Sequence, residues 1–165
     1  MQDAAAVPLD RLDHTPSLVA FLQDRPAAPA YRAGMTTRAE NTFTSENSES
    51  TPREWTGGAM ARTRWLKEFS GDLEGTSVVE AIMLQVEPAP GGEAGAIYVG
   101  VERFECSLHG RKGSFLLTHN ATSLGAETGG EWTIVPGSGR DELTGISGRG
   151  EILPDHHFVL EYTLP

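Results

Sequence analysis

The chain has 165 residues, 38% of them hydrophobic, and a formal net charge of −10 from 13 Lys and Arg against 23 Asp and Glu. That length suits one domain able to bury its own core without staples. The acidic balance argues against phosphate backbones as partners, so no nucleic-acid partner is expected, and no apolar run reaches the roughly 20 residues of a spanning helix.

Cys106 is the one cysteine and cannot form an internal disulfide. The first 30 residues lack the basic start and long apolar core of an export signal, so a cytoplasmic location is expected. The strands predicted below are too polar on their outer faces for a lipid-embedded barrel, and no membrane partner is expected.

Residues 1–34 are rich in Ala, Pro and Asp and read as a flexible arm. Thr15 and Pro16 suit the N-cap and first position of a short helix over 16–24, which carries Leu18-Val19-Ala20-Phe21-Leu22 and stops before Pro26. Residues 35–165 read as a β-barrel domain. From Thr36 onward β-branched and aromatic residues are frequent, Gly and Pro punctuate, and no stretch carries a 3.6 period. Eight strands are predicted, over 38–46, 60–69, 76–87, 95–108, 111–121, 130–136, 140–152 with an internal turn, and 156–164. The fold class is all-β, an eight-stranded, mainly antiparallel closed barrel, lipocalin-like in shape, whose interior side chains or one small ligand can fill. A sandwich of the same strands is the alternative, at the cost of long exposed edges.

A phrase recurs along these strands. Leu73-Glu74-Gly75, Leu108-His109-Gly110 and Leu143-Thr144-Gly145 share Leu-x-Gly, with the leucines 35 residues apart both times. Fixed periods mark repeated structural units. Each x-Gly falls between candidate strands and reads as the centre of a hairpin turn.

The sequences Ser70-Gly71-Asp72-Leu73-Glu74-Gly75, Tyr98 to Phe104 running into Gly110 to His119, Val135-Pro136-Gly137-Ser138-Gly139 and Leu143-Thr144-Gly145 resemble an uncharacterised bacterial family, the domain of unknown function 3224. Its members look like allene-oxide-cyclase-type β-barrels. The resemblance spans about residues 36–164 and leaves out the arm, and Cys106 stands where a glycine is more usual. Plant allene oxide cyclases isomerise an unstable fatty-acid epoxide inside the barrel. None of their catalytic residues matches a position here, so none is carried over.

Hairpin register decides which side chains share a face. With His109-Gly110 as a two-residue turn, Phe104 faces Phe115, Glu102 faces Leu117 and Gly100 faces His119. His119 then lies diagonal to both Tyr98 and Glu102. With Glu74-Gly75 as the turn, Phe69 faces Glu80 and Trp65 faces Leu84. The loop 88–94 is too long to fix the next register, and the parity that places Glu80 beside Glu102 gathers most aromatic bulk inside. On that reading Glu80, Glu102 and His119 are catalytic candidates. Trp65, Phe69, Leu84, Tyr98, Phe104, Phe115 and Leu117 are the ligand-binding wall. Two carboxylates in a poorly solvated space cannot both ionise cheaply, so one can shuttle protons near neutrality.

Other motifs fall away. His156 and His157 are neighbours on a strand and diverge, Gly137-Ser138-Gly139 lacks a nucleophile elbow, and Cys106 has no nearby base. No metal and no cofactor are expected. The function expected is the holding of a small hydrophobic or amphipathic ligand in the barrel. An isomerase or cyclase working by acid/base catalysis and a purely structural barrel are the alternatives. The outward row Ile97, Val99 and Val101 is too apolar for water and calls for a cover, either the arm or another subunit of a homo-oligomer.

Overall fold

The computed structural model describes residues 35–87, 95–124 and 127–165. They fall within one compact unit, Gly34–Pro165. The expected arm with its helix over 16–24 and the loop 88–94 lie outside the described residues. Nine strands follow in chain order: β1 (Thr37–Trp55), β2 (Gly58–Gly71), β3 (Leu73–Val86), β4 (Gly95–Leu108), β5 (Arg111–Leu124), β6 (Glu127–Ile134), β7 (Arg140–Asp141), β8 (Ser147–Leu153) and β9 (His157–Thr163).

Eight of them close into an antiparallel barrel in the order β4-β3-β2-β1-β9-β8-β6-β5, sealed by pairing of β5 with β4, while β7 is a two-residue addition against β5. The barrel, and not the sandwich, is therefore the architecture. Closure protects the long strands, because each of the eight has a neighbour on both sides. β1 is twice the expected length. It continues past a bulge, between Asn47 and Glu49, to meet Gly58 at Trp55.

Strand alternation supplies the core. Phe43, Phe69, Phe104, Phe115 and Phe158 point inward and are almost wholly buried. Phe104 and Phe115 stack at 4.7 Å between centroids, which matches the expected turn at His109-Gly110. Below them the three leucines of the repeated phrase, Leu73, Leu108 and Leu143, are completely buried and join Ile134, Ile146 and Tyr162. This end of the barrel is plugged by the phrase.

The phrase is not three hairpins, however: Thr144-Gly145 is the centre of a tight turn closed by the Ile146 N–H on the Leu143 carbonyl, but the strands on either side of it, β7 and β8, pair with β5 and with β6 and β9. Only Leu108-His109-Gly110 forms the hairpin as expected. Between β2 and β3 the chain reverses at Gly71-Asp72, so Phe69 pairs with Gly75 and Trp65 with Val79, correcting the expected partners Glu80 and Leu84. Gly-Asp and Glu-Gly are both acceptable turn dipeptides. Contacts from elsewhere decide between them. The Asp72 N–H donates to the Glu40 carbonyl, the Asp72 carboxylate accepts the Glu40 N–H, and the His109 N–H donates to the Asp72 carbonyl. Gly75 instead lies within β3, paired with Cys106. A Cβ there would run into the Glu105 carbonyl oxygen. Cys106 is flanked by Gly75 on one side and Gly113 on the other, so its neighbours leave out the side chains that it carries.

That displaced turn moves the next register as well. Glu102 pairs with Val79, and Glu80 with Val101. The inward row of β3 is Leu73, Gly75, Ser77, Val79 and Ala81, and Glu80 and Leu84 belong to the outward row.

Candidate functional site

Above the phenylalanine layer the barrel interior turns polar. Five neighbouring strands each place a residue at this level: Lys67 from β2, Ser77 from β3, Glu102 and Tyr98 from β4, His119 from β5 and Trp132 from β6. Pairing of Lys67 with Ser77, Gly100 with His119 and His119 with Trp132 brings them side by side. Gly100 is the gap that lets the group assemble, since a Cβ there would crowd the Tyr98 hydroxyl and Ala81.

Glu102 is the hub and is only 1% exposed. Its Oε2 lies 3.2 Å from Lys67 Nζ and 2.7 Å from His119 Nε2, and its Oε1 accepts the Ser77 hydroxyl. The ring N–H of His119 is not well aligned with the carboxylate, so that contact is a close approach and not an aligned hydrogen bond. Burial by itself would raise the Glu102 carboxyl. The His119 and Ser77 contacts and the Lys67 charge outweigh burial and hold it below the ordinary carboxylate value. Glu102 is thus a carboxylate, not a protonated acid. Lys67 completes its surroundings with the face of Phe43, whose ring centroid lies 4.7 Å from Nζ, a cation–π contact.

The other side of the His119 ring fixes its protons. Trp132 Nε1 donates to Nδ1 at 3.0 Å, and an indole N–H can only donate. Nδ1 must therefore present its lone pair, and the ring proton is assigned to Nε2, facing Glu102. Tyr98 Oη also lies 2.9 Å from the same Nδ1. Two donors thus converge on one lone pair. Burial and the nearby Glu102 charge push the Tyr98 phenol well above its usual value, so it stays protonated.

Tyr98 and Trp65 are half-buried and meet edge to face, with ring centroids 5.8 Å apart. They stand on the side of the cluster away from the leucine plug. Phe69, Phe104, Phe115 and Leu117, all expected on the ligand wall, are inside but packed against one another as solid core. Glu80 is outside, where Arg64 and Arg62 approach its carboxylate at 3.5 and 3.6 Å. Leu84 shares that outer face. The acid pair expected from the sequence is accordingly replaced by a single carboxylate with a lysine. Lys67 had a signal in the sequence, since it alternates between Trp65 and Phe69 on one strand face. Ser77 needed the corrected turn, and Trp132 needed strand ends at Leu124 and Glu127 in place of the expected 121 and 130, because only then does a two-residue connection set His119 opposite Trp132.

The remaining motifs are structural. The Ser138 hydroxyl accepts the Leu116 N–H, and burial pushes the Cys106 thiol up to about 12, far from thiolate chemistry. Among the described residues no group of three or more His, Cys, Asp or Glu is arranged to hold a metal ion. No helix among them is long and apolar enough to cross a membrane.

Fold and site together define an antiparallel eight-stranded barrel with a plugged end and a buried, charged centre. The chain belongs to the family of proteins of unknown function DUF3224, whose model matches residues 38–165. It is similar to a solved structure of a DUF3224 protein of unknown function from Shewanella oneidensis MR-1. The two are 28% identical with a TM-score of 0.63, over 79% of this chain and 99% of that one. Comparison with curated proteins finds no match.

Proposed function

We propose that the barrel binds a small, largely apolar molecule bearing a hydrogen-bond acceptor such as a carbonyl, with the Tyr98 hydroxyl as its polar anchor. The observation that carries this reading is the sharing of His119 Nδ1. Because Trp132 satisfies that nitrogen, Tyr98 can turn its proton to a ligand without leaving a buried acceptor unpaired. Breaking most buried hydrogen bonds costs about 1–3 kcal/mol for the orphaned group, and here that cost is avoided. Trp65 beside Tyr98 offers an apolar face for the rest of the molecule.

Acid/base chemistry of the isomerase or cyclase kind is a second reading, supported by the continuous Tyr98–His119–Glu102–Lys67 chain. In it Tyr98, held neutral, would donate to a developing oxyanion, and His119 and Glu102 would position and polarise the phenol. Glu102 would not itself be a raised-pKa acid.

The test uses the full-length protein and a matched pair of probes, 2-nonanone and nonane, followed by tryptophan fluorescence. The ketone is expected to bind more tightly than the hydrocarbon. Tyr98→Phe should weaken ketone binding about tenfold, one hydrogen bond's worth, and leave nonane unaffected. Equal binding of the ketone by wild type and Tyr98→Phe, or no binding by either, would remove Tyr98 as the anchor.

A further inference from the structure

β8 and β9 are too short to wall the barrel to its full height. β9 pairs with β1 only over Thr37–Thr42, whereas β1 runs on to Trp55, and β8 pairs with β6 only at Trp132 and Thr133, whereas β6 starts at Glu127. The upper parts of β1 and β6 thus each keep one edge without a ladder partner among the described residues. Between them the wall is notched, and the end of the β8–β9 hairpin, Leu153 to His157, is the sill. On the β1 side the sill is capped by His156, which stacks on Phe43 with ring centroids 5.0 Å apart. On the β6 side a cavity of about 450 Å³ adjoins it. Among the described residues this cavity meets β6 at Gly130 and Trp132, which face inward, and β9 at Val159 and Glu161, which alternate with the core and face outward. Space lined from inside on one strand and from outside on another passes through the wall.

We infer that this slot between β6 and β8 is the door by which the ligand enters and leaves the barrel, with Trp132 as its threshold, an inference that rests on the ligand-binding reading above. The parting of the two strands is written in the sequence. Continuing the register from Trp132 opposite Gly150 would set Glu131 directly opposite Glu151, and like charges across a strand pair destabilise it. The β1 edge is likewise kept from recruiting a strand. It carries Pro52, which has no N–H to donate, the bulge between Asn47 and Glu49, and the acids Glu46 and Glu54. Trp132 joins the slot to the polar centre. Its ring lies against Gly130, where a Cβ would run into it, and its Nε1 donates to His119 Nδ1 at 3.0 Å. The Tyr98 hydroxyl meets that same nitrogen, so a molecule crossing the indole arrives at the Tyr98 anchor.

The test is stopped-flow tryptophan fluorescence of 2-nonanone binding to the full-length protein and to the double variant Glu131→Cys/Glu151→Cys. Both positions are exposed and lie outside the polar centre, and a disulfide between them ties the slot shut. Closure should slow association at least about tenfold and dissociation equally, leaving affinity unchanged, because a door alters both rates and not the bound state. Reduction should restore the wild-type rates. Should the disulfide not form, a bulky maleimide on the same two cysteines is the second obstruction, with wild type treated alike as the control for Cys106. Ketone binding at the wild-type rate with the slot obstructed would overturn the door and leave the binding reading standing. No ketone binding by wild type would remove that reading and the door with it.

Discussion

At the residue scale the buried centre is held by compensation. Glu102 and Lys67 are both nearly inaccessible, at 1% and 8% side-chain exposure, and either alone would be an uncompensated buried charge. Glu102→Gln is expected to destabilise the protein by about 3–5 kcal/mol in urea titrations, while adding Lys67→Met to it should recover much of that loss. If the double variant were no more stable than the single one, the pair would not be compensating. pH makes the same point. Glu102 is held below its ordinary value when folded and returns to about 4.3 on unfolding, so the unfolded chain takes up its proton first. Its stabilisation is complete above that value and is lost as pH falls through the folded one. Melting temperatures of wild type and Glu102→Gln should therefore converge on acidification. Tyr98 acts at the other end. Its raised phenol means that stability falls as pH climbs past about 10, where the unfolded tyrosine ionises, and Tyr98→Phe should remove that part of the alkaline loss.

At the scale of elements the glycines and leucines of the repeat have separate jobs. Gly75 permits close approach of β3 to β4 and holds φ at +148°. Gly75→Ala should cost more than about 2 kcal/mol, whereas Gly110→Ala, with φ at +80° but open space around it, should cost only about 1–2 kcal/mol. Leu143→Ala, opening a cavity in the plug, should cost about 2–5 kcal/mol. Similar losses for the two glycine variants would mean that contact with Glu105 is unimportant. These elements also explain what could be read in advance. Phe104 opposite Phe115 and His119 diagonal to Tyr98 and Glu102 were legible because a two-residue turn leaves a hairpin no freedom. Glu80 was misplaced because Gly71-Asp72 and Glu74-Gly75 are equally good turn sequences, and the choice is made by Glu40 and His109, distant in the chain. Lys67 was legible by alternation but is a residue type that rarely lies inside. Trp132 was hidden because the expected strands stop at 121 and resume at 130, which leaves the register of β5 and β6 open, whereas they extend to Leu124 and Glu127.

At the scale of the whole molecule the barrel has a sealed half and a polar half. The leucine plug and the phenylalanine layer make the first rigid. Against that floor the lysine, the carboxylate and the imidazole are ordered, and Tyr98 stands above them with a proton it can redirect. Everything proposed about ligand binding depends on His119 keeping its Nδ1 lone pair for Trp132 and its proton on Nε2. The most direct measurement is the ¹⁵N NMR spectrum of the His119 ring in the full-length protein. Nδ1 should appear as a bare acceptor and Nε2 as the protonated nitrogen, unchanged in Tyr98→Phe and perturbed in Trp132→Phe. A proton on Nδ1 in the wild type would contradict the account.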